Sequence, residues 1–255
     1  MFGAVVVGIG TAGWVRIRDM LGSSAWQSCR ETECQSFHIQ EKAGLSAGSE
    51  PGKHVCVEYP MTMNYKAALE LWNLAQEKGV ILHEEHIELL TEDYKELKRE
   101  VEGKLLQEGT LHFTGGALKP GFGFPAFSGI ARLTWLVELF GELSVTAATM
   151  EEDSGNNYCK MTAKLLTSDD RPLVWIEERG PGLPRAKNIN FQFDSCTLTE
   201  VPPAPRGAVG LFMQDLIHFS AKLAGQVSPG ELHREKIRIL HCLRLAENIQ
   251  QLCKR

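Results

Sequence analysis

"AVVVGIGTAGWVRIRDML", residues 4–21, joins a short apolar run to a glycine-rich turn and the start of a helix. The run at Ala4–Val7 is typical of a strand that is covered on both faces. Three glycines follow with the spacing G-x-G-x-x-G, which permits a tight turn, close approach of backbone to a pyrophosphate and close packing of helix on strand. This order predicts the phosphate-binding turn of a dinucleotide-binding domain. The predicted cofactor-binding residues of the turn are Gly8, Gly10, Thr11, Ala12 and Gly13.

Residues 22–52 do not continue this pattern. The segment is rich in Ser, Gln, Glu and Gly, and it has neither alternating apolar positions nor a sustained helical face. A strand with its crossover helix needs roughly thirty residues, so the segment has room for one such unit at most. We predict irregular backbone here and a nucleotide domain that lacks much of its sheet.

Regular patterns return at Lys53. Residues 53–60 read as a strand that Pro60 stops, and Thr62 is placed to cap a helix that runs to Gly79. Residues 80–86, "VILHEEH", read as the next strand, and an amphipathic helix is predicted from Ile87. A strand–helix–strand–helix order indicates parallel pairing.

The second half of the chain consists mostly of strand-like segments with short turn-rich links. A helix is predicted at Phe127–Phe140, and two more at residues 209–224 and 229–252. Ser228 and Glu231 have the spacing of a capping box before the last helix. The predicted fold is a truncated Rossmann-type parallel sheet over residues 1–88, followed over residues 89–255 by an open antiparallel sheet with helices on one face.

Composition excludes several classes of function. The net charge of −5 over 255 residues provides no basic surface field, so nucleic acid is not expected as a partner. No apolar run is long enough to span a bilayer, so no membrane partner is expected. The chain enters its first predicted strand without a basic leader, so secretion is not expected. Its seven cysteines are scattered along the sequence, which favours reduced thiols and a cytoplasmic location.

Five long motifs then carry a specific resemblance. They are "GKHVCVEYPMT" (52–62), "HEEHIELL" (83–90), "GFGFPAFSGIARLTWLVELFGEL" (121–143), "WIEERGPGL" (175–183) and "KIRILHCLRLAENIQQLC" (236–253). With the glycine turn, they resemble the biliverdin reductase A family, within the wider glucose–fructose oxidoreductase-like group. The resemblance covers Phe2 to about Leu21 and residues 52–255. It implies reduction of biliverdin to bilirubin in haem breakdown, with NADPH or NADH as the hydride donor.

A second hypothesis comes from residues 22–52. In the family, the corresponding part of the chain carries further strand–helix units, including the strand end that contacts the adenosine ribose. Their loss would leave a catalytically impaired chain that acts as a bilin-binding or protein-interaction module. The choice between NADH and NADPH stays open because that strand end is missing, and a monomer or weak oligomer is expected.

The predicted catalytic residues begin with Tyr59, which ends a strand at the edge where ligands of parallel sheets bind. Its hydroxyl would bind a tetrapyrrole lactam, or the ring would simply pack on the next helix. Glu58 is grouped with the cofactor-binding residues. We expect its carboxylate to hydrogen-bond nearby backbone rather than to take part in the reaction. The resemblance places Glu85 and Glu88 near the substrate pocket, with hydrogen bonding to loops at the domain junction as the alternative.

Hydride transfer to the central bridge carbon of biliverdin leaves a pyrrole nitrogen to be protonated. Arg132 is the candidate to polarise that group or relay the proton, and the alternative is that it grips a propionate or a neighbouring carboxylate. Arg185 and Lys187 lie on a link that the family keeps basic, so they are predicted to bind propionates unless they are ordinary solvated loop charges.

The resemblance also implies a zinc set at His241, Cys242 and Cys253, where the family's fourth cysteine is replaced by Lys254. On one continuous helix Cys242 and Cys253 would lie about 16 Å apart, whereas a zinc–sulfur bond is about 2.3 Å. We therefore expect packed core side chains here rather than a zinc site, unless the helix breaks or two chains share the ion.

Overall fold

The computed structural model describes residues 53–118, 123–205 and 209–254. The strand at Ala4–Val7, the phosphate-binding turn at Gly8, Gly10, Thr11, Ala12 and Gly13 and the irregular segment 22–52 lie outside these residues. The strands are β1 (Val55–Val57), β2 (Leu82–Glu84), β3 (Leu106–Gly115), β4 (Leu143–Asp153), β5 (Tyr158–Thr167), β6 (Pro172–Arg179), β7 (Ala186–Phe193) and β8 (Thr197–Leu198). The helices are α1 (Tyr65–Lys78), α2 (Glu92–Val101), α3 (Pro125–Ser128), α4 (Ile130–Phe140), α5 (Leu211–Leu223) and α6 (Pro229–Cys253).

The first sheet confirms the predicted parallel pairing. Strands β1 and β2 are parallel, with Val55 opposite Leu82 and Val57 opposite Glu84. Helix α1 connects them and ends at Gly79, whose φ of 63° lies in the left-handed region that glycine tolerates best. This crossover places the carboxyl ends of both strands at one edge.

Two helix starts differ from the sequence prediction. Asn64, rather than Thr62, caps α1, because its side chain accepts a hydrogen bond from the amide of Ala67 at 2.9 Å. The hydroxyl of Thr62 instead donates to the carbonyl of Asn64 at 2.7 Å. The helix predicted from Ile87 begins at Glu92, after a 3₁₀ turn over Ile87–Leu90, because the Thr91 hydroxyl accepts from the Tyr94 amide.

The second sheet has six strands in the order β4-β5-β6-β3-β7-β8. Most of its pairs are antiparallel, as predicted, but β3 and β6 are parallel, so the sheet is mixed. The difference arises because α3 and α4 carry the chain across from β3 to β4. Two hairpins then return β6 to the side of β3, running in the same direction.

Helices α4 and α6 cover one face of the mixed sheet. Apolar side chains alternate inward along its strands, and the largest that are fully buried include Phe113, Met161, Leu165, Leu173, Trp175 and Phe191. The predicted capping box opens α6, with Ser228 and Glu231 each bonding the other's backbone amide. Within the described ranges, no helix has the length and apolar character needed to cross a bilayer.

A chain of buried charges ties α5 and α6 to the parallel sheet. The Lys222 ammonium lies 2.5 and 2.7 Å from the two carboxylate oxygens of Glu235 and 2.6 Å from Nδ1 of His83. The other ring nitrogen of His83 lies 3.1 Å from Asp215 Oδ1. His83 therefore serves as a structural junction between β2 and the two C-terminal helices.

Candidate active site

Tyr59 lies at the edge where β1 and β2 both end. It lies two residues after the end of β1, and its peptide bond to Pro60 is cis. Its ring stacks on the imidazole of His86, with 5.9 Å between centroids and 6° between planes. Ligands of parallel sheets bind beyond the carboxyl ends of the strands, so Tyr59 marks the position of the candidate site.

The surroundings of Tyr59 keep its hydroxyl neutral. Burial raises the pKa of Tyr59 well above its ordinary value, and the carboxylates of Glu88 and Glu85 raise it further. The guanidinium groups of Arg132 and Arg185 act in the opposite direction and lower the pKa of Tyr59. A neutral phenol can donate a hydrogen bond to a carbonyl oxygen of a bound molecule.

Arg132 projects from α4 and is buried, with 4% of the residue exposed. Its Nη2 donates to Oε1 of Glu177 at 2.6 Å, and its Nε donates to Oε2 at 3.2 Å. Glu177 belongs to β6 and is completely buried. Because two nitrogens are held by one carboxylate, the plane of the guanidinium is fixed. The third nitrogen, Nη1, takes no part in this contact.

Arg179 shares the same carboxylate. Its Nε donates to Oε1 of Glu177 at 2.9 Å, and its Nη2 lies 2.7 Å from that oxygen. The ring of Phe113 lies against both arginines. Its centroid is 4.1 Å from the guanidinium carbon of Arg132 and 4.5 Å from that of Arg179. The single buried acid thus orients two arginines over one aromatic face.

The arginines carry more positive charge than Glu177 balances. Burial lowers the pKa of Arg179, and Glu177 counteracts this effect. The positive charges of Arg132 and Arg185 lower the pKa of Arg179 further. A guanidinium that is crowded by like charges would be stabilised by a bound anion.

Glu88 joins this group to the 3₁₀ turn after β2. Its carboxylate lies 2.5 Å from Nζ of Lys187 and 3.8 Å from a guanidinium nitrogen of Arg185. Burial opposes ionisation of Glu88, but Lys187, together with Arg132 and Arg185, lowers its pKa below the ordinary value. The backbone carbonyl of Glu88 also accepts a hydrogen bond from the indole of Trp135 at 3.2 Å. This bond holds the backbone from which the Glu88 side chain projects.

The structure brings six of the predicted site residues together. They are Tyr59, Glu85, Glu88, Arg132, Arg185 and Lys187. Glu85 is buried directly after β2, where its amide donates to the carbonyl of Val57 at 2.8 Å. Glu58, predicted beside the cofactor, is exposed at the end of β1.

Sequence reasoning missed Glu177, Arg179 and Phe113. All three occupy inward positions of the mixed sheet, since Phe113 pairs with Glu177 across β3 and β6. The segment "PLVWIEER" alternates, and its inward positions are Leu173, Trp175, Glu177 and Arg179. A charged pair at inward strand positions is a signal for a buried ionic group. We call Arg132, Arg179, Arg185 and Lys187 the cation cluster.

The predicted zinc residues are not brought together. His241, Cys242 and Cys253 all belong to the continuous helix α6, and their ligand atoms do not lie within 4.8 Å of one another. Nε2 of His241 accepts a hydrogen bond from the amide of Leu143 at 3.1 Å. Cys242 is buried, and burial raises the pKa of its thiol to about 12. All three residues therefore serve in packing and hydrogen bonding of the helix.

Two family models match the chain. The model described as "Biliverdin reductase, catalytic" matches residues 94–205. The model described as "Oxidoreductase family, NAD-binding Rossmann fold" matches residues 32–86, so this match begins inside the segment that was predicted to be irregular.

Two curated relatives match along nearly their whole length. Biliverdin reductase A of Mus musculus is 48% identical over 286 residues, which cover 100% of this chain and 97% of the relative. Biliverdin reductase A of Homo sapiens is 47% identical over 285 residues, which cover 99% of this chain and 96% of the relative. The mouse alignment is 31 residues longer than the 255-residue chain, so the relative has at least 31 interior residues without a counterpart here.

Solved structures show the same fold. A biliverdin reductase from Synechocystis in complex with biliverdin and NADP+ has a TM-score of 0.72 at 18% identity, covering 99% of this chain and 98% of that one. A UDP-N-acetylglucosamine 3-dehydrogenase from Acidithiobacillus ferrooxidans has a TM-score of 0.74 at 13% identity, covering 99% and 97%. The fold is therefore that of Rossmann-type oxidoreductases with an appended sheet domain.

Proposed function

The chain belongs to the biliverdin reductase A family, and we propose that it reduces biliverdin to bilirubin with NADPH or NADH as the hydride donor. The observation that carries the proposal is the cation cluster, two members of which, Arg132 and Arg185, act electrostatically on Tyr59 beyond the end of β1. Biliverdin is a flat tetrapyrrole with two propionates. A group of arginines with surplus positive charge, next to aromatic side chains, suits such a substrate.

The nicotinamide cofactor supplies the hydride when it is bound. Gly8, Gly10 and Gly13 would hold its pyrophosphate, according to their spacing. Tyr59 and Glu58 follow β1, so they are the described residues that would border the nicotinamide end. The spacing of the glycines and the position of Tyr59 and Glu58 after β1 are both typical of a dinucleotide site.

The substrate would be held by two kinds of contact. Arg185 is largely exposed, and only a 3.8 Å contact joins it to Glu88, so its guanidinium is available to a propionate. Lys187 has a closer partner in Glu88, and its Nζ lies 4.1 Å from the ring centroid of Trp135. Lys187 would therefore add positive charge to the propionate site without being its main contact. The neutral hydroxyl of Tyr59 would donate a hydrogen bond to a lactam oxygen and set the bridge carbon towards the cofactor.

Arg132 would act on the pyrrole nitrogen. Hydride addition to the central bridge carbon leaves negative charge on that nitrogen, and a fixed guanidinium stabilises such charge in a low-dielectric site. Glu177 engages Nε and Nη2 of Arg132, so Nη1 is the nitrogen that faces the substrate in this proposal. A water that is hydrogen-bonded to Nη1 would deliver the proton to the pyrrole nitrogen and take a replacement proton from bulk solvent.

The direct test is the absorbance change at the bilin bands when the purified chain is mixed with biliverdin and NADPH, and separately with NADH. Loss of the biliverdin band with growth of the bilirubin band supports the proposal. Bilin binding without any such conversion would instead favour the second hypothesis of a catalytically impaired bilin-binding module.

Location is part of the proposal. Among the described residues, Cys159, Cys196, Cys242 and Cys253 are free thiols, as is typical of proteins in a reducing compartment. Together with the scattered cysteine spacing, this supports a cytoplasmic site of action.

We expect NADPH to bind this chain at least tenfold more weakly than it binds mouse biliverdin reductase A. The physical reason is the loss of at least 31 interior residues, because the adenosine end has no recognisable partner in residues 22–52. A tenfold change in affinity is about 1.4 kcal/mol. Calorimetric titration of both proteins under one set of conditions measures the difference. Equal affinities would show that residues 22–52 form a complete nucleotide site.

Substitution of Tyr59 by Phe should lower kcat roughly tenfold and leave the melting temperature nearly unchanged. The ring and its stacking on His86 are kept, whereas the hydroxyl that would orient the lactam is lost, at a cost of about 1–1.5 kcal/mol. Steady-state kinetics with biliverdin measures the effect. Tyr158→Phe is the matched control, because that hydroxyl contacts Glu178 away from the cation cluster. Unchanged kinetics for Tyr59→Phe would remove Tyr59 from the mechanism.

A further inference from the structure

Glu84 is the last residue of β2 and is buried, with 2% of the residue exposed. Its Oε2 accepts a hydrogen bond from the amide of Met61 at 2.7 Å. Met61 comes directly after the cis peptide that joins Tyr59 to Pro60. The carboxylate at the end of β2 therefore holds the backbone that follows β1, just after Tyr59 and Pro60.

The other carboxylate oxygen of Glu84 points to a different neighbour. Nε2 of His86 lies 3.0 Å from Oε1, and the side chain of His86 is only 10% exposed. The imidazole of the same His86 lies parallel to the ring of Tyr59. One buried acid thus contacts both the backbone after Tyr59 and the ring that packs on Tyr59.

We propose that Glu84 and His86 are positioning residues, which fix the ring of Tyr59 so that its hydroxyl meets the substrate. The proposal rests on the proposed function and deepens it. Neither side chain contacts the cation cluster through any described bond, so they act through Tyr59. We call this pair of residues the Tyr59 clamp.

The physical reason is the freedom of a tyrosine that follows a strand. Its ring turns about two side-chain torsions, and burial alone does not select the orientation that a hydrogen bond requires. An offset parallel stack limits the tilt of the ring. The bond from the Met61 amide to Glu84 limits the movement of the backbone, and the same carboxylate lies beside the imidazole of His86.

The first experiment is a double-mutant cycle. His86→Leu removes the imidazole while keeping apolar bulk, and Tyr59→Ala removes the ring on which it acts. We expect His86→Leu to lower kcat about tenfold with little change in KM, and to have no further effect on kcat in the Tyr59→Ala background. His86→Phe keeps a flat ring for stacking and should recover part of the lost kcat.

His112→Leu is the matched control for this cycle. Nε2 of His112 also lies close to a carboxylate, at 2.6 Å from Glu178, but His112 neighbours Phe113 on β3 and so faces the other side of the mixed sheet. We expect its kcat to stay within twofold of the unmodified chain. An equal loss from His86→Leu in both backgrounds would mean a general structural role and would overturn the proposal.

The second experiment needs no turnover. The chain has four tyrosines, so its ¹³C-tyrosine NMR spectrum is simple, and the signal lost in Tyr59→Phe assigns Tyr59. His86→Leu should shift that signal, because the ring current of the stacked imidazole disappears. Glu84→Gln should broaden or shift it, while Glu178→Gln should leave it in place.

The two experiments separate this inference from the proposed function. If the unmodified chain fails to reduce biliverdin, the proposed function fails, and the NMR spectra still decide whether the clamp orders Tyr59. If the chain turns over and the Tyr59 signal is insensitive to both His86→Leu and Glu84→Gln, the clamp is overturned while the function stands.

Discussion

Substitution of Arg132 by Ala should lower kcat for biliverdin reduction by roughly a hundredfold, which corresponds to about 2.7 kcal/mol of transition-state stabilisation. The guanidinium is buried, fixed by Glu177 and close to Tyr59, so it is the described donor best placed to stabilise charge on the pyrrole nitrogen. Electrostatic donors of this kind act mainly in the transition state. The loss should therefore fall on kcat more than on KM.

Arg132→Lys is the informative companion variant. Lysine keeps the positive charge but cannot make the two-point contact with Glu177. We expect its kcat to lie between those of the alanine variant and the unmodified chain. An effect of either substitution confined to KM would instead assign Arg132 to propionate binding.

Folding should survive the change at Arg132. Glu177 keeps its second partner after the substitution, because Arg179 contacts the same carboxylate oxygen through two nitrogens. A buried carboxylate that is left without a partner typically lowers the stability of the folded protein by about 3–5 kcal/mol. Here Arg179 remains beside Glu177, so the negative charge stays partly compensated. Circular dichroism melts of Arg132→Ala and Arg132→Lys check that the kinetic losses belong to folded protein.

Local signals in the sequence predicted much of the fold. The capping box at Ser228 and the end of a helix at Gly79 are properties of a few neighbouring residues, and both occur as predicted. The choice of Asn64 over Thr62 as a cap was not predictable, because both side chains are good caps and only the backbone path decides between them. The parallel pair of β3 and β6 was missed for a related reason, since strand order depends on where the crossover places a strand.

The candidate site shows the same division. Arg132 could be proposed because it lies in a motif of a resembling family, and Arg185 and Lys187 because they lie on a link that the family keeps basic. Glu177 and Arg179 were missed because the contact of Glu177 with Arg132 joins β6 to a helix that is distant in sequence, and Arg179 takes part only through the same carboxylate. The role of His86 was not predicted, since its stack on Tyr59 depends on the parallel pairing of β1 with β2.

Gly129 packs tightly against Glu177, the residue that orients Arg132. It precedes α4, and a methyl group added there would lie 2.7 Å from the carbonyl oxygen of Pro125, 2.8 Å from Trp175 and 2.9 Å from the carboxylate carbon of Glu177. Trp175 and Glu177 are completely buried, and the Pro125 oxygen is backbone, so no flexible chain end can move aside. The φ of Gly129 is −94°, so the obstacle is contact rather than backbone strain.

Gly129→Ala should therefore lower the free energy of unfolding by about 2–3 kcal/mol, the usual cost of overpacking a core. It should also lower kcat, because displacing Glu177 turns the guanidinium of Arg132 away from its fixed plane. Gly116→Ala is the matched control, since a methyl group there meets nothing within 4 Å, and we expect a change below about 0.5 kcal/mol. Urea unfolding measures both variants. Equal stability of the two would mean that the interface between α4 and β6 yields, and that Glu177 is not held rigidly enough to orient Arg132.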